Sequence, residues 1–244
     1  RVLARFIGLF FLIPLIYFYF SNKIKKEYML ICYIVFGLII FQGFVGWYMV
    51  KSGLVNDVTV SHYRLSAHLI IAIIIISSLF WLIKNIYTNN NKVFFKFTSD
   101  NFPFQILIFL IFFQIGVGAF VSGLDAGKIY QTWPLMGNNL IPNDLVINNL
   151  TFFFNFENHS LVQFYHRNLA YIIVCYILFL SIFIFKKQIT SLYKSIITLL
   201  LLIFIQASLG ILTLVSDINI LIASLHQITS VLLVLSALNL YYLR

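Results

Sequence analysis

Three histidines, His68, His166 and His226, each lie about seven residues inside one end of a long apolar segment. A neutral imidazole offers one nitrogen lone pair to a metal, and imidazoles held at one depth in lipid are what a haem iron needs as axial ligands. Two arginines accompany them. Arg64 precedes His68 by four residues, on the same helical face, and Arg167 directly follows His166. The planar guanidinium fork matches carboxylates, and the propionates of a haem are carboxylates. A single intramembrane histidine can equally be a packed, hydrogen-bonded residue, and an arginine near a helix end can simply snorkel. Three histidines at matched depth favour the metal reading.

The elements that must carry these side chains follow from composition. Of 244 residues, 61% are hydrophobic and 9% charged, and the mean hydropathy is +0.98. These values lie outside the range of soluble domains, so the chain is read as an all-α integral membrane protein. About 20 apolar residues span the hydrocarbon, and seven such runs are present, at roughly 2–20, 28–49, 63–83, 103–122, 160–185, 191–215 and 219–242. Arg1 opens directly into the first run without a signal-peptide layout, and the expectation is a chain truncated at its front. Cys32 and Cys175 fall within apolar runs and are read as core fillers. No CxxC pattern accompanies them.

Lysines mark one side of the bundle. Lys23, Lys25 and Lys26 follow the first run, Lys84, Lys92 and Lys96 the third, and Lys186, Lys187 and Lys194 the fifth, and the positive-inside rule assigns these loops to the cytoplasm or matrix. The three histidines then sit near the outer face. So do Arg1, Arg5, Arg64 and Arg167, where positive charge is least expected, which points to an anionic group there. His62 and His159 precede their helices or open them and are read as interfacial.

The chain also repeats itself. Arg1-Val2-Leu3-Ala4 resembles Arg167-Asn168-Leu169-Ala170, and the next helix of each half carries Gln-x-x-x-Gly, as Gln42 to Gly46 and Gln206 to Gly210. A third copy runs from Gln114 to Gly118. Small residues permit close helix contact, and packing is the reading of these copies. Because the repeat offset spans an even number of helices, the halves share orientation and should be related by an axis along the membrane normal. His166 pairs with His226 as a bis-histidine haem site in a four-helix bundle. The partner of His68 falls just before Arg1. The expected organisation is seven transmembrane helices of an eight-helix parent built from two pseudo-twofold-related four-helix bundles. Residues 1–93 are the remainder of the N-terminal half, with three helices. Residues 94–244 are the C-terminal bundle, with a long outer loop at 123–158 read as a lid. No phosphate-cradling glycine motif, carboxylate pair or serine triad is present, so chemistry must come from a cofactor.

The chain resembles the haem A synthases of mitochondria and alphaproteobacteria along essentially its whole length. The matching stretches include Gln42-Gly43-Phe44-Val45-Gly46-Trp47, Tyr63-Arg64-Leu65 with His68, Gly118-Ala119-Phe120-Val121-Ser122-Gly123-Leu124-Asp125, Thr132-Trp133-Pro134-Leu135-Met136, His166-Arg167, Leu209-Gly210-Ile211-Leu212-Thr213 and Leu225-His226-Gln227. The resemblance implies an oxidoreductase that converts a methyl group of haem O to the formyl group of haem A for cytochrome oxidase. It implies a haem b held by His166 and His226 with Arg167 beside it, and a substrate haem O near His68 and Arg64. Iron ligation by His68, His166 and His226 is the metal role expected. The family's second N-terminal histidine, and a glutamate three residues before it, fall upstream of Arg1, so no catalytic residue is assigned within the chain. Gln163 stands at the matching place before His166.

The expected partners are haem O, haem O synthase, an electron-transfer partner of undefined identity and the lipid bilayer, with no nucleic acid; self-association into a homo-oligomer stays open. The expected location is a bacterial plasma membrane or the mitochondrial inner membrane. One rival is a bis-histidine transmembrane cytochrome b that only carries electrons. Another is a transporter, disfavoured because Glu27, Asp57, Asp100, Asp125, Asp144, Glu157 and Asp217 all lie in loops or at interfaces, leaving the apolar core without a carboxylate relay.

Overall fold

Inside a bilayer every backbone N–H and C=O must find its partner within the protein, and a helix does this within one segment. The computed structural model describes residues 2–53, 60–145 and 150–244. Arg1, the Arg5 side chain and Asp57 lie outside the described residues. The apolar runs form seven helices: α1 (Val2–Ser21), α2 (Lys26–Gly53), α3 (His62–Thr88), α4 (Phe102–Gly123), α5 (His159–Lys186), α6 (Tyr193–Val215) and α7 (Ile220–Leu243). Helices α2 to α7 are each long and apolar enough to cross a membrane, and within α1 the apolar stretch is Phe6–Ser21. The protein is a multi-pass, all-α integral membrane protein.

The helix starts that matter for the histidines are fixed by local chemistry. Asn158 caps α5, its side chain accepting from Leu161 N at 3.0 Å. Asn219 caps α7 and accepts from the N–H groups of Leu221 and Ile222. Such caps satisfy amides that the first helical turn leaves open. They place His166 and His226 two turns into their helices.

The chain divides into two compact units, Arg1–Phe95 and Lys96–Arg244. In the first, α2 packs against both α1 and α3. The loop after α3 is tied to its own helix: the Asn85 amide donates to Lys92 O at 3.0 Å and accepts from Lys92 N at 3.2 Å, and Trp81 Nε1 donates to the same carbonyl at 2.8 Å. In the second unit α4 packs on α5 and α7, and α6 packs on α5 and α7. Each helix thus has two close neighbours, and α5 and α7 face each other across the diagonal of a four-helix bundle. Its core is aliphatic, with Val162, Ile177, Leu180, Ile184, Ile196, Leu199 and Leu238 buried. At the end remote from the histidines, Gln105 Nε2 donates to Tyr241 Oη at 3.0 Å and Arg244 pairs with Asp100 at 2.9 Å.

Large apolar side chains such as Phe10, Phe109 and Phe204 are exposed, which suits a surface that meets lipid rather than water. One reading is corrected. Cys175, expected as a core filler, is on an exposed face, because a helix apolar all round does not reveal from sequence which side packs. His62, at the start of α3, is buried against protein, its ring against that of Tyr63 at 4.1 Å between centroids.

Candidate functional site

Each of the three histidines lies against a neighbouring helix at a Gln-x-x-x-Gly copy. His68 of α3 meets Gln42 and Gly46 of α2, His166 of α5 meets Gln114 and Gly118 of α4, and His226 of α7 meets Gln206 and Gly210 of α6. The glycine is needed for space. A Cβ added to Gly46 or Gly118 would stand 3.0 Å from the imidazole Cε1, and one added to Gly210 would stand 2.9 Å away. By contrast, a Cβ on Gly37 or Gly43 of α2 would meet nothing within 4 Å. Sequence reading had these motifs as helix packing; the structure shows that what packs into each is a histidine ring. The available signal was that every copy is followed by a histidine on the returning helix.

The glutamines define the tautomer. Nε2 of Gln42, Gln114 and Gln206 lies 3.3, 3.5 and 3.4 Å from Nε2 of His68, His166 and His226. The same amide nitrogen of Gln42 and Gln114 also donates to the backbone oxygen of its histidine at 3.0 Å. A carbonyl oxygen only accepts, so this second bond fixes the amide orientation. The imidazole Nε2 is then the acceptor, with its proton on Nδ1. At His226 the same result comes from the other side of the ring: Nδ1 is 3.1 Å from the backbone oxygen of Gln206 and must be the donor. All three rings present a lone pair at Nε2, the form in which an imidazole binds a metal.

His166 and His226 lie on the diagonal helices α5 and α7. Buried polar atoms without hydrogen-bond partners gather at this level: Oε1 of Gln114 and Gln206 and Nδ1 of His166, with Gln42 Oε1 and His68 Nδ1 in the first unit. Unsatisfied buried groups are rare and mark functional places. Two imidazoles whose unprotonated Nε2 meets only a glutamine amide fit the donor set of a bis-histidine haem. No cluster of three or more histidine, cysteine or carboxylate groups placed to hold a metal ion occurs among the described residues.

Residues 123–145 fold back across the same end. Arg167 Nη2 donates to Tyr130 O at 2.7 Å, and its Nη1 to Thr132 O at 2.8 Å and Leu135 O at 3.2 Å. Gln163, buried one turn before His166, also donates to Tyr130 O, at 2.9 Å. Asp144 accepts from Ser160 Oγ and from Tyr130 Oη at 2.6 Å. On the far side Gln131 Nε2 donates to Asp217 at 2.6 Å, in the turn between α6 and α7. Partial burial alone would raise the Asp144 carboxyl, but the bonds from Ser160 and Tyr130 outweigh it and hold the group below its ordinary range. The Tyr130 phenol is correspondingly raised, chiefly by its bond to Asp144. Arg167 thus grips loop backbone with the fork expected to meet a propionate. Arg64 lies with its guanidinium 5.0 Å above the Tyr48 ring, a cation–π geometry. His159 is exposed at the start of α5.

Comparison with known proteins places the chain in a family. Residues 1–238 match the family model described as COX15-CtaA, cytochrome oxidase assembly protein. The heme A synthase of Pelagibacter ubique (strain HTCC1062) is 42% identical over 245 residues, covering 99% of this chain and 70% of the relative. That of Rickettsia africae (strain ESF-5) is 39% identical over 252 residues, covering 100% and 72%, and that of Rickettsia bellii (strain OSU 85-389) is 42% identical over 239 residues, covering 96% and 70%. With a family model matched over residues 1–238 and relatives 39% and 42% identical along nearly all of its length, this chain belongs to the COX15-CtaA family of cytochrome oxidase assembly proteins.

Proposed function

We propose that the protein is a haem A synthase, a membrane oxidoreductase that converts the methyl substituent of haem O to the formyl group of haem A for cytochrome oxidase. The observation that carries this reading is the pair His166 and His226 on diagonal helices, each with Nε2 as the unprotonated nitrogen, in a chain whose relatives bear that name. His166 and His226 would hold a haem b, which when bound supplies reversible one-electron chemistry. His68 and Arg64 belong to the place of the substrate haem. Arg167 keeps the loop docked, and its remaining N–H groups are available to a propionate.

The chain's own contribution is to bind, orient and exclude water. Aliphatic packing around α4 to α7 keeps the cofactor site in a low dielectric, and the loop at 123–145 closes its end. Converting a methyl to a formyl group takes one oxygen atom, supplied by water, and releases four electrons and four protons. An electron acceptor is therefore required, and an electron-transfer partner is part of the proposal, with haem O synthase as the source of substrate.

The test is expression of the protein with a source of haem O, followed by mass analysis of the extracted haems. Appearance of the hydroxymethyl and formyl products supports the synthase. Two low-spin haems with unchanged haem O would instead indicate an electron carrier built on the same histidines.

A further inference from the structure

The three Gln-x-x-x-Gly copies are alike in more than spacing. In each, the glycine removes the side chain that would collide with the imidazole, and the amide of the glutamine one turn earlier meets the ring; the main-chain oxygen of Gln206 also meets Nδ1 of His226. Helical glycine costs about 1 kcal/mol relative to alanine, and a buried amide oxygen without a donor costs about 1–3 kcal/mol. Packing alone gives no reason to keep both at every histidine and to leave Gly37 and Gly43 in open space.

We propose that Gln114 with Gly118, and Gln206 with Gly210, are the positioning residues of the cofactor site: they set the plane and tautomer of His166 and His226 so that Nε2 is the iron-binding nitrogen. Gln42 and Gly46 do the same for His68 in the first unit. This rests on the haem reading above and goes beyond it by assigning six residues to ligand orientation. At His226 the main-chain oxygen of Gln206 holds the Nδ1 proton directly, the arrangement by which a metal-ligating imidazole is oriented and made more basic. At His68 and His166 the amide is anchored on the histidine's own carbonyl, so its contact with Nε2 can be exchanged for iron while the anchor stays.

The experiment compares purified wild-type protein with Gly118→Ala, Gly210→Ala, Gln114→Leu, Gln206→Leu and the open-space controls Gly37→Ala and Gly43→Ala. Four quantities are read: haem b retention against apomyoglobin, the low-spin electron paramagnetic resonance g-values, which report the relative orientation of two axial imidazole planes, the reduction potential, and the thermal melting point. Gly118→Ala and Gly210→Ala are expected to weaken haem retention by about 10- to 100-fold, the usual loss when an orienting partner is disturbed. Both controls should retain haem as the wild type does. Gln114→Leu, which adds no bulk beside the ring, should keep haem bound but shift the g-values and the reduction potential; Gln206→Leu, which keeps the main-chain oxygen on Nδ1 of His226, should shift them less. The proposal is overturned if the glutamine variants melt lower with g-values and potential unchanged, which is a packing role, or if the cradle alanines behave like the controls. His166→Ala and His226→Ala separate the two layers: full haem occupancy in these variants refutes the haem reading itself, whereas loss there with normal Gly118→Ala and Gln114→Leu refutes only the positioning role.

Discussion

His68 and His226 sit in matching hairpins, α2–α3 and α6–α7, against matching Gln-x-x-x-Gly copies, yet their surroundings differ. Opposite His226, across the bundle diagonal, α5 presents a second imidazole in a cradle provided by α4. Over that end lies a loop held by Arg167, Gln163 and Asp144. Within the described residues of the first unit, His68 has its cradle and the Arg64–Tyr48 contact nearby. One two-helix device is therefore used in two settings. On the proposed reading, the two copies under the latched loop would hold the haem b, and the copy at His68 would serve the substrate haem.

The sharpest break in this contrast is removal of the paired ligands. His166→Ala or His226→Ala is expected to abolish haem b recovery almost completely, read from the reduced haem spectrum of the purified protein, while His68→Ala should leave that haem in place. Next in size is Arg167→Ala. Its bonds to three loop carbonyls involve a charged donor, and their loss should cost about 2–3 kcal/mol of loop docking, seen as faster proteolysis within residues 123–145. Substrate retention supplies the matching test in the first unit. Arg64→Ala should weaken haem O retention more than Lys92→Ala, measured as haem O co-purified per protein; equal losses would mean general destabilisation.

The smallest expected effect is on pH. Asp144 is held below the ordinary carboxylate value of about 3.9 by Ser160 and Tyr130 against the opposing effect of desolvation. Its contribution to loop docking is thus fully present above that value and is lost as the pH falls from there through the depressed folded value. Asp144→Asn should reduce loop protection slightly at neutral pH and flatten its decline under acid, measured by hydrogen exchange.

Much of this was legible in the sequence. Bilayer thickness dictates run length, so α2 to α7 begin and end within a few residues of the apolar runs, and the level of the histidines followed directly. What could not be read was facing. A helix in lipid is apolar on the side that packs and on the side that does not, which is why the exposure of Cys175 and the burial of His62 emerged only from the fold. The same blindness hid the role of Gly118 and Gly210. Their sequence neighbours are compatible with any close helix contact, and only the seating of an imidazole on each distinguishes them from Gly37 and Gly43. Arg167 was legible as a residue near the site, but its bonds to the carbonyls of Tyr130, Thr132 and Leu135 depend on a loop path that no periodicity encodes.

Each cradle closes between two helices that are consecutive in the chain, so an imidazole acquires its orientation from its own pair of spans. If these rings ligate iron as proposed, their orientation is held before a porphyrin arrives, so that fewer side-chain rotations would have to be frozen on binding.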